Sequence, residues 1–235
     1  MCGRLSHKKR WREIYEHLER FSTALTPMLK EQDGPAPSYN APPTAPIPVL
    51  RSNTDGLLEG VMLRWWLIPH WAKSSEAKYA MFNARSEDAA KKPAFRDPFK
   101  RRRCVIPADG FYEWQKRDAK TKQPYFISRA DGDPMYLAGL WERWQSKDDE
   151  SEVIESCTIL TTMPNAEMTP IHNRMPCIIE PEQVQAWCDP SMQDVEGVES
   201  FLHPAADGLL VMHEVSSRVG NVRNNDEALT QATIS

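Results

Sequence analysis

A chain of 235 residues with 40% hydrophobic and 26% charged residues has an ordinary globular composition, so it can bury a sizeable core. Its net charge of −4 argues against a general cationic coat for nucleic acid but leaves room for a local basic groove, because binding follows the distribution of charge rather than its sum. The five cysteines, at positions 2, 104, 157, 177 and 188, have no zinc-type spacing, and an odd number without a secretory signal points to a reducing cytoplasm, with no metal and no cofactor expected. No apolar run approaches the ~20 residues of a membrane span.

The chain opens Met1-Cys2-Gly3-Arg4. Removal of Met1 would leave Cys2 with a free amine and a thiol on adjacent carbons, groups that ordinarily titrate near ~7.7–8.0 and ~8.5 and so keep a reactive fraction at neutral pH. Such a 1,2-aminothiol captures an aldehyde in two steps, Schiff base and then ring closure by sulfur. Taken alone, a terminal cysteine is more often part of a loose tail. Over 9–21 the apolar residues Trp11, Ile14, Tyr15, Leu18 and Phe21 have helical spacing, which would anchor Cys2 if the helix docks. The Pro-rich stretch 34–48 reads as an extended linker or, through Tyr39-Asn40-Ala41-Pro42, as the wall of a binding site. A turn at 53–56 precedes a strand over 57–68. Around it, Arg64-Trp65-Trp66 to His70-Trp71 predicts one buried indole and at least one exposed indole able to stack on bases.

The stretch 85–99 predicts a helix interrupted by Pro93. Lys100-Arg101-Arg102-Arg103 abuts apolar residues and places four cations at a strand entrance, as a solvated face or as phosphate contacts. Asp109-Gly110 marks a turn, and the strand after it carries Glu113 between Tyr112 and Trp114. An acid among aromatics is either a surface residue or a desolvated general acid/base whose pKa is raised. Strands are predicted over 123–129, 134–144 and 153–163. The Pro-framed loop 170–176 holds His172, Asn173 and Arg174. Helices over 181–188 and 193–203 and a strand over 209–215 follow, then a polar loop with Arg218 and Arg223. With strands in the majority and mostly sequential, the fold class is α+β on an antiparallel or mixed sheet.

Taken together, Met1-Cys2-Gly3-Arg4, the Tyr39–Pro42 region, Arg64-Trp65 through Trp71, Asn83-Ala84-Arg85-Ser86-Glu87, Arg102-Arg103-Cys104 through Glu113-Trp114, Pro170-Ile171-His172 through Pro176, and Val215-Ser216 through Asn224 resemble the SOS-response-associated peptidase (SRAP) family, which senses abasic sites in single-stranded DNA. The resemblance implies a single α+β domain over 1–235, with motifs from 2 to 227, built around a curved, barrel-like, mostly antiparallel sheet with flanking helices. It implies that Cys2, freed by Met1 removal, captures the abasic aldehyde as a thiazolidine DNA–protein crosslink. Asn83 would position the N-terminus or opened sugar, Glu113 would act as acid/base, and His172 would assist the sugar oxygen. Arg4, Asn40, Trp71, Arg85, Arg174 and Arg218 are the DNA-contact candidates implied. Autoprocessing of the Met1–Cys2 bond and an abasic-site lyase activity are implied alongside. The partner implied is single-stranded DNA, and the protein is expected to be a monomer in the cytoplasm and, in a bacterium, on the nucleoid. Two positions depart from the family pattern: Trp66 stands where a glycine is usual and Asn173 where an aspartate follows the histidine. Without the resemblance, an N-terminal-nucleophile amidohydrolase and a non-covalent single-strand binder are the competing readings.

Overall fold

The computed structural model describes residues 2–21, 23–27, 34–76, 79–118 and 120–233; Met1, on which the trimming expectation falls, lies outside the described residues. In chain order the elements are β1 (Leu5–His7), α1 (Trp11–Glu19), β2 (Ser38–Ala41), β3 (Pro46–Ser52), β4 (Leu58–Trp65), β5 (Asn83–Arg85), α2 (Ser86–Ala89), α3 (Arg96–Arg101), β6 (Arg103–Ala108), β7 (Gly110–Lys116), β8 (Lys122–Arg129), β9 (Met135–Gln145), β10 (Val153–Thr162), β11 (Met175–Pro176), β12 (Ile178–Ile179), α4 (Val184–Cys188), α5 (Val195–Glu199) and β13 (Leu210–Glu214).

Five strands close on themselves. β3 pairs with β4 and β6, β6 with β9, and β9 with β10, all antiparallel; β10 then pairs with β4 in parallel through Ser156↔Arg64 and Cys157↔Trp65. Closure removes the free edges these strands would otherwise expose. β5 joins β10 in parallel, carrying Asn83 opposite Ile159. The second sheet runs β13-β8-β7-β1-β2. The alternating apolar residues of both meet in one core. Leu5, Phe111 and Ile127 of the second sheet pack with Ile47, Leu63, Ile106, Leu137 and Ile159 of the ring. A separate core lies where Trp11, Ile14 and Leu18 of α1 meet Phe99, Val184 and Trp187.

β6 belongs to the ring and β7 to the second sheet, with Asp109 alone between them. The chain changes sheets there because Gly110 has no side chain: a Cβ would sit 2.3 Å from Cζ of Phe126. The N-terminus is drawn into this junction as a strand. Leu5 pairs with both Ala41 and Phe111, and Tyr112 N–H donates to the Arg4 carbonyl at 3.0 Å. Full burial of Leu5 adds about 1.5–3 kcal/mol to that anchorage.

The α+β class and the barrel-like, mostly antiparallel sheet match the sequence expectation. Local boundaries differ for physical reasons. The 34–48 stretch is not a linker: it supplies β2 and the start of β3. Its prolines are tolerated because β3 meets β6 only from Leu50 onward, leaving Pro48 without a donor to supply on that side. The 85–99 helix splits into α2 and α3 around Pro93, and the 193–203 helix shortens to α5. The strand predicted over 57–68 ends at Trp65. Its partner loop holds Thr44 at φ +76°, a left-handed conformation costing a non-glycine residue about 1–2 kcal/mol. Thr44 N–H donates to the Trp65 carbonyl at 2.9 Å and helps to hold it there.

Candidate active site

Cys2 precedes β1 and is 1% exposed, so it belongs to the core and not to a loose tail. Asn83 holds it: the amide Nδ2 donates to the Cys2 carbonyl at 2.7 Å. Continuing the β1–β7 register from Leu5↔Phe111 brings Glu113 alongside Gly3, next to Cys2. Glu113 is 3% exposed, its neighbour Tyr112 being fixed by an Oη bond to the Tyr39 carbonyl at 2.7 Å. His172 arrives from the loop before β11, whose turn is closed by bonds from the 171 and 172 amides to the Met168 carbonyl, both 2.9 Å. Its Nε2 stands 4.0 Å from Oε2 of Glu113. The Arg174 N–H donates to His172 Nδ1 at 3.1 Å, which makes Nδ1 an acceptor and puts the neutral ring's proton on Nε2, facing the carboxylate. The Arg174 carbonyl also lies 3.2 Å from Nδ1. Asn83 is thus joined to Cys2 and His172 to Glu113, whose charge reaches the Cys2 thiol.

Burial pushes the Cys2 thiol well above its ordinary pKa, and the nearby charge of Glu113 pushes it further the same way. The expectation of a reactive thiolate fraction at neutral pH therefore does not fit this environment: low dielectric and a neighbouring anion both favour the neutral thiol. The thiol proton must be taken as the sulfur reacts. Asn83 Oδ1 is buried with no hydrogen-bond partner among the described residues.

Of these residues Asn83 also lines a cavity of about 400 Å³, together with Arg85, Trp71, Lys92 and Phe95 among others. Arg85 is exposed and Trp71 is 53% exposed. A neighbouring groove of about 340 Å³ shares Trp71 and adds Trp66 and Tyr79. The expected division of the tryptophans is present: Trp65 is buried, while Trp66 is partly exposed and tilts against Phe82 at 5.4 Å. Trp66 thus fills space that a glycine would leave open.

The remaining DNA-contact candidates are placed otherwise. Asn40 is 2% exposed. Its Oδ1 accepts from Arg4 Nη1 at 2.8 Å, and its Nδ2 lies 2.9–3.2 Å from the carbonyls of Val219, Asn221 and Asn224. Arg4 also donates to the carbonyls of Val219 (2.7 Å) and Gly220 (3.2 Å). Arg4 and Asn40 therefore tie the N-terminal strand to the C-terminal loop, and Asn40 has no surface for DNA. Arg174 is 8% exposed, bidentate to Glu87 at 2.6 and 2.8 Å, and bonded to the Thr161 carbonyl. It too is corrected from a DNA contact to a support, one that holds His172 through its backbone. Arg218 is half-exposed and paired with Asp226 at 2.7 Å. In the four-cation run, Arg103 is buried and donates to the carbonyls of Phe99, Lys100, Trp187, Asp189 and Met192, so it staples the chain and touches no phosphate. Asn173 is exposed and makes no hydrogen bond among the described residues. Tyr79, 74% exposed, and Lys92 carried no sequence signal, since neither lies in a motif; only the folded cavities single them out.

The description SOS response associated peptidase (SRAP) matches residues 1–222 of the chain. The chain belongs to the SRAP family. Abasic site processing protein YoqW of Bacillus subtilis is 37% identical over 232 residues, 99% of this chain and all of that protein. YoaM of the same organism, also named an abasic site processing protein, is 39% identical over 99% of this chain and 98% of its own. Abasic site processing protein HMCES of Pongo abelii is 31% identical over 96% of this chain and 74% of its own. Among solved structures, a Bacteroides thetaiotaomicron protein superposes with a TM-score of 0.82 at 25% identity, covering 99% of this chain and 100% of that one. A Bordetella bronchiseptica protein does so with 0.74 at 25%, covering 92% and 100%. The SRAP chain thus shares its fold with these neighbours over 99% and 92% of its length. Among the described residues no helix is long and apolar enough to cross a membrane, and no group of three or more potential metal ligands is found.

Proposed function

We propose that this SRAP protein recognises abasic sites in single-stranded DNA and caps them covalently through Cys2. The observation that carries the reading is the buried Cys2 clamped by Asn83, which also lines a cavity walled by Trp71 and Arg85, with Glu113 beside His172 on the strand that pairs with the N-terminal one. An abasic sugar rests mainly as a closed hemiacetal and must open to its aldehyde. Glu113 would take the proton of the anomeric hydroxyl and pass it to the ring oxygen, to which His172 Nε2–H would donate a hydrogen bond. The amine of Cys2, free once Met1 is removed, adds to the aldehyde carbon. Loss of water leaves an iminium. The sulfur then adds to that carbon and its proton passes to Glu113, giving a thiazolidine and one water in all. Trimming Met1 also sets an ammonium one carbon from the thiol carbon, which eases thiol ionisation. Trp71 stacks beside the gap left by the missing base, and Arg85 meets a flanking phosphate.

The same constellation accounts for two side activities. Cleavage of the Met1–Cys2 bond by the chain itself would make it its own peptidase substrate, with Asn83 holding the Cys2 carbonyl. The iminium stage would permit β-elimination, hence lyase activity. The test is incubation of the purified protein with single-stranded DNA carrying one abasic site, resolved on a denaturing gel. A heat-stable shifted band that Cys2→Ala abolishes supports the reading; no band from a protein whose mass shows Met1 removed overturns it. For the lyase step, a Cys2→Ser protein, with its amine free, should nick the same DNA; complete failure to nick excludes that step.

A further inference from the structure

A second cavity, of about 630 Å³, lies outside the capture chemistry. Four cations line it, Lys100, Arg101, Arg102 and Arg143, against two carboxylates, Asp97 and Glu142. Glu142 is buried and already answered by Arg102 at 2.8 Å and His70 Nδ1 at 3.1 Å. Asp97 lies 3.8 Å from Arg96. Lys100, Arg101 and Arg143 are exposed and enter no ion pair among the described residues. In a chain of net charge −4, three uncompensated cations around one concavity make a local seat for an anion. Trp141 also lines the cavity, with the guanidinium of Arg51, itself paired with Glu59 and Glu155, 4.3 Å from its ring. Cations beside an aromatic face are the elements of a single-strand platform.

Its location connects it to the first site. His70 lines this cavity and Trp71 lines the Asn83–Arg85 cavity, so the walls of the two are consecutive residues. On the other side, Phe95 lines the capture cavity and α3, which begins at the next residue, brings Lys100 and Arg101 to the second. We infer that the Lys100–Arg101–Arg143 cavity is a second phosphate-binding subsite for the same DNA strand, on the far side of the His70–Trp71 step from the capture site. The inference rests on the reading that DNA enters at Asn83 and Arg85. It gives the basic run at 100–103 its division of labour: Arg103 staples the fold, Arg102 fixes Glu142, and Lys100 and Arg101 face the strand.

The experiment compares the full chain with a Lys100→Gln, Arg101→Gln, Arg143→Gln triple variant. Affinity for undamaged single-stranded DNA is measured against salt for a long strand and for one too short to span both cavities. Each lost phosphate contact flattens the slope of log K against log salt by about 0.7 on single strands, so the triple variant should lose about 2 from its slope on the long strand. The short strand should bind with an unchanged slope, and a short abasic strand should crosslink at the parent rate. Arg143→Gln alone, on a different element from the other two, should remove about 0.7. An unchanged slope on the long strand, or an equal loss on both strands, overturns the inference. The slope is read on undamaged DNA, so a parent that binds but never crosslinks would sink the capture chemistry without touching this result.

Discussion

Replacing Asn40 by alanine should unlock the N-terminus from the C-terminal loop and lower the melting temperature substantially. The side chain is buried and sits at the centre of the Arg4–Asn40–Val219 network. An amide NH₂ has two protons, so its three carbonyl neighbours count as two neutral hydrogen bonds, each about 1 kcal/mol, while the bond accepted from the charged Arg4 is worth about 1.5–3 kcal/mol. Water can reach the exposed Asn221 carbonyl region and returns part of this, leaving a loss of about 3–4 kcal/mol. In a chain of this length each kcal/mol moves the midpoint by about 2–4 °C, so Asn40→Ala should melt about 6–16 °C below the parent. Calorimetry of the two proteins reads this directly, and the salt dependence of binding undamaged single-stranded DNA provides the second readout. A supporting residue lowers the midpoint and leaves the salt slope alone. A midpoint within about 2 °C of the parent, together with a flattened salt slope, would refute the structural assignment and return Asn40 to the DNA surface.

Other outcomes follow from the same geometry. Glu113→Gln should slow crosslinking by about 10²–10⁴-fold through loss of the proton acceptor. Because the Glu113 charge is the second cause, after burial, of the raised Cys2 pKa, the variant should also shift the pH profile of Cys2 alkylation downward; faster crosslinking would mean that thiolate formation limits the parent. The other cysteines are buried and their thiols raised as well, Cys177 and Cys188 to about 12, with burial as the leading cause. Above about pH 9 the unfolded chain therefore holds fewer thiol protons than the native one, and stability should fall by about 1.4 kcal/mol per pH unit for each buried thiol, an effect absent at pH 5–8. A urea midpoint that stays level between those ranges would contradict the buried placement. Asn173 is exposed and makes no hydrogen bond among the described residues, so the pH–rate profile of an Asn173→Asp variant should overlay that of the parent; a displaced profile would show that residue 173 tunes His172.

What the sequence made legible was what depends on local pattern. Helix α1 follows from the spacing of Trp11, Ile14 and Leu18, and the turn at Asp109-Gly110 follows from residue type. The aromatic flanks of Glu113 marked it, and its burial agrees. Closure of the ring was not legible: the parallel pairing of β4 with β10 joins residues some ninety positions apart (Arg64 with Ser156) and leaves no local trace. Nor did the sequence distinguish inward from outward cations. Arg103 and Arg174 look like Arg85 and Arg101 in a string of letters. Their difference arises from carbonyls and a carboxylate that other elements bring to them, Trp187 and Asp189 for the first and Glu87 and Thr161 for the second. The family resemblance implied DNA contact for Asn40 and Arg174, but both side chains are buried, Asn40 among Arg4 and the carbonyls of the C-terminal loop and Arg174 against Glu87.

The central claim is that Cys2 itself becomes bonded to the DNA. Intact mass of the protein, before and after reaction with a short single strand carrying one abasic site, tests it most directly. The account predicts that the reacting species lacks Met1, and that its mass rises by that of the oligonucleotide less one water. Digestion should place the adduct on the peptide beginning at Cys2. An adduct on any lysine instead, or an unchanged mass in a protein already lacking Met1, would contradict it.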